Sequence, residues 1–348
     1  MDVEAFEAEA RDQGGEKGES TLTVAIALIA NALLAIAKSV AAALTGSAAM
    51  VAEAAHSWSD TGNEIFLLVA ERRGRRPRDA AHPRGYGRQT YIWSLVAAFG
   101  LFSAGAMVSI WHGVTDLLDE PREGGTFIVN YVILAVALVL EGTSFLQATR
   151  QVSGKARVLG LHPFGYVSRT SDSTLRAVFF EDSSALIGIV IAAAAIGLHQ
   201  LTGQAAYDAI GSIAVGLLLA AVAIFLMRRN MSYLLGQGLS PAMYRQVLRT
   251  LLDHPEIDRI TYLHVEYVGP SRLFVVAAVD LVGDDRESHL ALRFRRVEAD
   301  IERSDLIEDA VLTPAPPDEP ALSPEGSAYA GDSAGRGERS PSASADQG

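Results

Sequence analysis

Six stretches of this chain are apolar for long enough to cross the ~30 Å hydrocarbon core of a bilayer, which takes roughly 20 helical residues each. They run Leu22–Leu44, Ala48–Ala70, Tyr91–Trp111, Phe127–Leu146, Leu175–Leu198 and Ala206–Met227. A soluble helical bundle would need charges on its exposed faces, and these windows lack them. The second and fifth are the least clean, because each carries acids in its first half. The pattern predicts an all-α membrane domain of six transmembrane helices over residues 21–230.

Past the sixth window the period changes. "PAMYRQVLRTLLDHPEI" places Met243, Val247 and Leu251 at helical spacing. "RITYLHVEYVG" and "RLFVVAAVDLVG" are β-rich runs separated by Gly269, Pro270 and Ser271, which predicts a hairpin. "SHLALRFRRVEADIERS" then reads as an amphipathic helix and "IEDAVLTP" as a last strand. The order αββαβ over residues 240–313 suits a compact α+β, ferredoxin-like C-terminal domain. From 314 to 348 the sequence, rich in Pro, Ser, Gly and acid, cannot bury a core and is expected to be disordered. Residues 1–20 are acidic and polar, where a secretory or transit peptide would be basic, and read as a cytoplasmic N-terminal tail, also disordered.

Charge placement orients the spans. "ERRGRRPRDAAHPRGYGRQT", between the second and third, holds seven arginines. Arg150, Lys155, Arg157 and Arg169 lie between the fourth and fifth, and Arg228 and Arg229 follow the sixth. The opposite loops carry Arg122 alone. By the positive-inside rule both termini and the basic loops are cytoplasmic. All but three of the 29 basic residues are arginine, a composition that points to a bacterium and its cytoplasmic (inner) membrane. Cysteine is absent, which removes disulfides, thiolate metal sites and cysteine nucleophiles. A net charge of -12 is no nucleic-acid signature.

Ionisable groups at membrane depth are costly and mark candidate sites. His56 and Asp60 stand one helical turn apart in the second window, offering an imidazole nitrogen and a carboxylate to one ion, half of a tetrahedral Zn²⁺ site. A His–Asp hydrogen bond across a helix contact is the plainer alternative. The partner helix would be the fifth, where Glu181 and Asp182 lead an unbroken apolar run. Adjacent helical residues point ~100° apart, so both cannot aim at one ion alike. Asp182 is favoured as ligand, with Glu181 as a second ligand, a proton carrier or an outer partner. Alternatively both acids sit at the interface, complementing the helix N-terminus beside Arg176. Glu64 continues the stripe and either lines an aqueous path or is interfacial. Glu141 reads as a salt-bridge partner or proton relay. Asn31, Lys38, Asp208 and Ser212 read as packing or interhelical hydrogen bonds.

These features together resemble the cation diffusion facilitator family of metal transporters. The motifs are "GSAAMVAEAAHSWSDTGN", "AHPRGYGRQTYIWSL" and "YDAIGSIAVGLLLA", and the resemblance spans about Leu22 to Pro314. "FFEDSSALIG" is similar to the zinc transporter 9 branch. The resemblance implies a homodimer exchanging a divalent metal, usually Zn²⁺, for protons. It makes His56, Asp60 and Asp182 ligands of that metal. Where the family places a His or Asp four residues before the fifth-span aspartate, this chain has Val178, which cannot ligate. Asp79 matches one ligand of a second, loop site found in some members, but Tyr86 stands where a histidine would be, so that site is degraded. In the C-terminal domain His264, Glu266, Asp285 and His289 have uninformative spacing.

The expected function is therefore proton-coupled efflux of a divalent cation, Zn²⁺ first, by alternating access at an intramembrane His/Asp site. An imidazole with an unperturbed pKa of ~6.5 lets protons compete with the ion near neutral pH. Mn²⁺, Fe²⁺ or Co²⁺ would also suit an oxygen-rich site. The rivals are a membrane metal sensor or scaffold that moves no ions, and an enzyme using His56 and Asp60 as an acid–base pair. The expected partners are the metal ion, protons, the lipid bilayer and a second copy of the chain; no cofactor and no nucleic acid is implied.

Overall fold

A computed structural model describes residues 21–118, 127–158, 160–283 and 286–325. The expected tail 1–20, residues 326–348 of the expected tail 314–348, Arg122 and Asp285 lie outside the described residues. The chain folds as two compact units that divide near Gly238.

The first unit is helical. Helix α1 (Thr21–Thr45) stops where Gly46 takes a φ of 68°, a left-handed conformation that suits glycine. Ser47 then caps α2 (Ala48–Gly74), its Oγ accepting the Met50 N–H at 3.2 Å. The chain continues through α3 (Arg88–Leu118), which carries a π-helical turn over Ala98–Phe102, and α4 (Phe127–Val158). A one-turn helix α5 (Pro163–Val167) leads to α6 (Ser173–Thr202) and α7 (Ala206–Leu234). Helices α3 and α7 pack closely. A Cβ on Gly216 would meet Ile110 Cγ1 at 2.7 Å and Ala106 O at 3.0 Å, so only glycine lets the two backbones approach this far.

The distribution of side chains is inverted relative to a soluble protein. Ile29, Leu33, Ile36, Val40 and Leu44 form an exposed stripe along α1, and Ile128, Val132, Val136 and Val139 do the same along α4. Lys38, Glu53, His56, Asn63, Arg176, Asp208 and Asn230 are buried. Greasy outward faces with charges inside are what a lipid solvent selects, and this unit is a membrane protein by that pattern.

Among the described residues five helices are long and apolar enough to cross a membrane, namely α1 through its Leu28–Thr45 segment, α3, α4, α6 and α7. Six were expected. Helix α2 is long enough, at 27 residues, but too polar to qualify by composition, since Glu53, Asp60, Glu64 and Glu71 interrupt it. It packs against α1, α3, α6 and α7, which cover its polar groups. The fifth window, also expected to be compromised, qualifies.

The second unit holds α8 (Pro241–Leu252), β1 (Ile257–Gly269), β2 (Arg272–Leu281), α9 (Glu287–Ile301) and β3 (Ile307–Pro314). Ser240 caps α8 ahead of Pro241, and Tyr244, Val247, Leu248 and Leu251 form its buried face. The sheet order is β1-β2-β3. Two residues join β1 to β2, which makes them a hairpin, while β3 returns through α9 to lie parallel to β2, with Val275 opposite Ala310 and Ala277 opposite Leu312.

The segment just after β3 departs from the expected disorder. The Ala315 N–H donates to Val279 O at 2.9 Å and the Leu322 N–H to Ile260 O at 2.7 Å, while Arg259 donates to the carbonyls of Pro316 and Glu319. Strand β1 is a sheet edge with free backbone groups, so a segment with no core of its own is held by main-chain hydrogen bonds. Composition alone does not register that route to order.

Candidate metal site

The candidate chemistry lies on α2. Glu53, His56, Asp60 and Glu64 recur at three- and four-residue intervals, so one face of this helix carries all four. Ser47 and Asp208 fix where that face starts. The Asp208 carboxylate, from α7, accepts the Ser47 hydroxyl at 2.9 Å and the Ala48 N–H at 2.7 Å, tying the first turn of α2 to the neighbouring helix. This is the interhelical hydrogen bonding expected of Asp208, and Ser212 likewise donates to Ser109 O of α3 at 2.8 Å.

His56 is buried, 1% exposed. Its Nε2 stands 3.6 Å from Asp60 Oδ1 and 3.3 Å from Ser184 Oγ of α6. Asp60 Oδ1 has no hydrogen-bond partner among the described residues, nor does His56 Nδ1. Helix α2 thus presents an imidazole and a carboxylate together to α6.

On α6 the adjacent acids diverge, as the ~100° step between neighbouring helical residues requires. Glu181 is buried and accepts Asn63 Nδ2 of α2 at 2.6 Å. Asp182 turns toward α4 and accepts Ser144 Oγ at 2.7 Å. Among the described residues, no three His, Asp or Glu side chains gather closely enough to hold a metal ion. The structure therefore brings His56 and Asp60 together but keeps Glu181 and Asp182 apart from them and from each other. Arg176 is not an interfacial partner of these acids. Its guanidinium is buried, donating to Thr170 O at 2.6 Å and to Asn230 Oδ1 at 2.5 Å.

The remaining candidates fall outside this centre. Glu64 accepts a hydrogen bond from Asn31 of α1, and its Oε2 has no partner among the described residues. Asp79 lies in the exposed loop after α2, where it accepts the Tyr86 hydroxyl at 2.7 Å and the His82 and Ala81 N–H groups at 2.8 and 3.0 Å. The Tyr86 hydroxyl first, and then the His82 N–H, hold its carboxyl below the usual carboxylate range, while the same contact pushes the Tyr86 phenol up. Asp79 is committed to shaping its own loop. In the second unit His264 Nε2, on a half-exposed ring, stands 4.0 Å from Glu266 Oε2, and among the described residues no third His, Asp or Glu joins them closely enough to hold a metal ion.

One buried pair escaped sequence reasoning in part. Lys38 of α1 donates to Glu53 Oε2 at 2.9 Å, with side chains 1% and 0% exposed. Lys38 makes an interhelical hydrogen bond, one of the two roles its sequence suggests, but its partner Glu53 is not among the sequence candidates. Two signals were present. Lys38 is the one lysine within the six apolar windows, and Glu53 precedes His56 by three residues on the same helical face. Glu141 of α4 lies within electrostatic range of this lysine and of Asp60.

The chain is similar to known proteins. A family model described as the cation efflux transmembrane domain matches residues 24–235. The mitochondrial proton-coupled zinc antiporter SLC30A9 of Xenopus laevis is 35% identical over 260 residues, covering 75% of this chain and 46% of its own length. Metal tolerance protein C4 of Arabidopsis thaliana is 34% identical over 239 residues, 69% of this chain and 52% of its own. Zinc transporter ZitB of Escherichia coli (strain K12) is 27% identical over 228 residues, 65% of this chain and 66% of its own. The chain spans about half the length of the SLC30A9 and C4 proteins it matches.

Proposed function

The chain belongs to the cation efflux family, and from that premise we propose that it exports a divalent cation, Zn²⁺ first, in exchange for protons. Two groups of relatives are named as zinc transporters, and one of those groups is named as proton-coupled. The observation that carries the reading is the buried His56–Asp60 pair, with Nε2 turned toward Asp60 and Ser184 of α6 and Asp60 Oδ1 without a partner among the described residues. A borderline set of one imidazole and carboxylates suits Zn²⁺.

In this reading α2 crosses the membrane as a sixth span, its polar face covered by its neighbours. Both termini, the basic loops and a ferredoxin-like C-terminal layer lie in the cytoplasm, and the protein works as a homodimer in a bacterial inner membrane. His56, Asp60 and Asp182 hold the ion, and Glu181 supports them. Since these groups are apart in the described conformation, binding requires α2 and α6 to shift until Asp182 leaves Ser144 for the ion. That shift is the alternating-access step, because a site that assembles around its cargo and comes apart on release has two faces to offer. Metal binding needs deprotonated ligands, so protons arriving from the far side displace the ion and reset the site.

The separation of the acids and the valine at 178 favour one other reading, a membrane metal sensor or scaffold that moves no ions. One assay separates the two. Purified protein in liposomes is offered Zn²⁺ under an imposed pH gradient, with Asp60→Ala and Asp182→Ala alongside. The proposal expects proton-coupled zinc flux that both variants abolish. No flux of Zn²⁺, Mn²⁺, Fe²⁺ or Co²⁺ would leave the scaffold reading in possession.

A further inference from the structure

A buried ion pair is a poor source of stability. Desolvating a lysine and a glutamate costs several kcal/mol, and apolar residues of similar volume often serve as well. Lys38 and Glu53 nevertheless face each other at 2.9 Å in the interior of a helical membrane unit, neither more than 1% exposed. Lys38 occupies one oxygen of Glu53. The other, Oε1, has no hydrogen-bond partner among the described residues and points at the neighbouring helix, α6.

What it points at is Gly188. A Cβ there would stand 2.7 Å from Glu53 Oε1 and 3.6 Å from His56 Nδ1. The two unpartnered atoms, an acid oxygen and an imidazole nitrogen, therefore border one small space that a glycine keeps open. Glu53 and His56 are three residues apart on α2, neighbours on one helical face. The opposite edge of the same imidazole, Nε2, looks toward Asp60 and Ser184. His56 thus lies between two carboxylates, Asp60 on its Nε2 side and Glu53 on its Nδ1 side.

A histidine that ligates a metal through one nitrogen nearly always donates its other N–H to a carboxylate, carbonyl or water, which sets the tautomer and aims the ring. We propose that Glu53 is the positioning carboxylate of His56: it takes the Nδ1–H, leaves the Nε2 lone pair for the transported ion, and is itself anchored by Lys38. Lys38 also keeps Glu53 from becoming a ligand, since the carboxylate oxygen nearest the ammonium is already engaged. Gly188 keeps open the space that both unpartnered atoms border, and in the proposal the Nδ1–H···Oε1 bond closes across it. This inference rests on the metal-site reading of His56 and Asp60, and extends it to three residues on three helices.

The test reads the imidazole directly. Metal-free protein labelled with ¹⁵N-histidine is examined by NMR, and the His56 resonances, one set among eight histidines, are assigned by their loss in His56→Gln. The expected result is a neutral ring protonated at Nδ1 with a bare Nε2. A ring protonated at Nε2 instead would overturn the proposal without any further variant. The charge-free pair Lys38→Met with Glu53→Leu should shift the ring away from that tautomer and weaken Zn²⁺ binding by about 10- to 100-fold, the range for losing such a partner. Gly188→Ala, which crowds Glu53 Oε1 while leaving both charges, should do the same. Unchanged zinc affinity and an unchanged ring spectrum in folded double variant would assign the pair to packing alone. Failure of the underlying site reading has a separate signature, zinc binding that persists in Asp60→Ala, and leaves the metal-free tautomer measurement standing.

Discussion

Two histidines of this chain each stand beside a carboxylate, and they differ in almost everything else. His56 and Asp60 are 3.6 Å apart at one-turn spacing on a membrane helix, and His56 is 1% exposed. His264 and Glu266 are 4.0 Å apart on the same side of a strand, with the imidazole 48% exposed. The two carboxylates are equally covered, at 15% exposed, but water reaches the second imidazole, so that pairing is screened and does little. The first pair lies in a unit whose outer surface is Ile, Leu and Val, where every polar atom must be satisfied within the protein. Asp60 Oδ1 and the Nδ1 edge of the His56 ring have no partner among the described residues there, Glu53 stands beside them on the same helix, and neighbouring helices contribute Ser184 and Lys38. Both places hold an imidazole beside a carboxylate; the burial of the ring is what sets the first apart.

The sharpest way to break that contrast is to remove each histidine in turn. His56→Ala should cost at least about 100-fold in Zn²⁺ affinity, beyond what losing an outer partner costs. His264→Ala should leave affinity where it was. Titration calorimetry on the detergent-solubilised protein measures both. If His264→Ala proved the damaging change, the centre would have to move to the second unit.

Next in size is the cost of orphaning a charge. Lys38→Met leaves Glu53 buried without its counter-ion, and should destabilise the helical unit by about 3–5 kcal/mol. The water-side equivalent is Arg303, whose pairing with Asp300 at 3.0 Å leaves the arginine 80% exposed. Arg303→Met should cost about 0–1 kcal/mol. Thermal melting of both variants in detergent tests the ratio, and equal losses would mean that water reaches Lys38.

The parts of this molecule that were legible in the sequence are those written in a period. The outward stripes of α1 and α4, the αββαβ order and the one-turn spacing of His56 and Asp60 all follow from counting residues. What counting misses is which groups meet across helices. Nothing in the order of letters says that Lys38 reaches Glu53 and not Glu64, or that Asn63 takes Glu181 while Ser144 takes Asp182. The same gap hid the hold of β1 on Leu322, since a main-chain hydrogen bond leaves no mark on composition. Even α2 was readable only in part. Its length announces a span, but its acids disqualify it by hydropathy until the helices that shelter them are known.

The smallest predicted effect brings the contrast down to one carboxylate. Asp79 is the water-side counterpart of Asp60, a half-exposed acid held by a hydroxyl and two backbone N–H groups, with the His82 ring 3.5 Å away. These donors favour the charged form, so its pKa lies below the ordinary value, with the Tyr86 hydroxyl the largest cause. A depressed pKa means that the loop's hold on Asp79 is complete above the unfolded pKa of about 3.9 and fades as pH falls through the lower, folded one. Tyr86→Phe deletes the main donor and should raise the Asp79 pKa toward the ordinary carboxylate range, read from its ¹³C carboxyl shift against pH. Zinc flux should not change, because Asp79 is spent on its loop and its second family ligand is a tyrosine here. A variant that lost zinc flux while the carboxyl shift moved as expected would return the loop to the metal's path, and would give this chain a working ligand on the water side of the membrane after all.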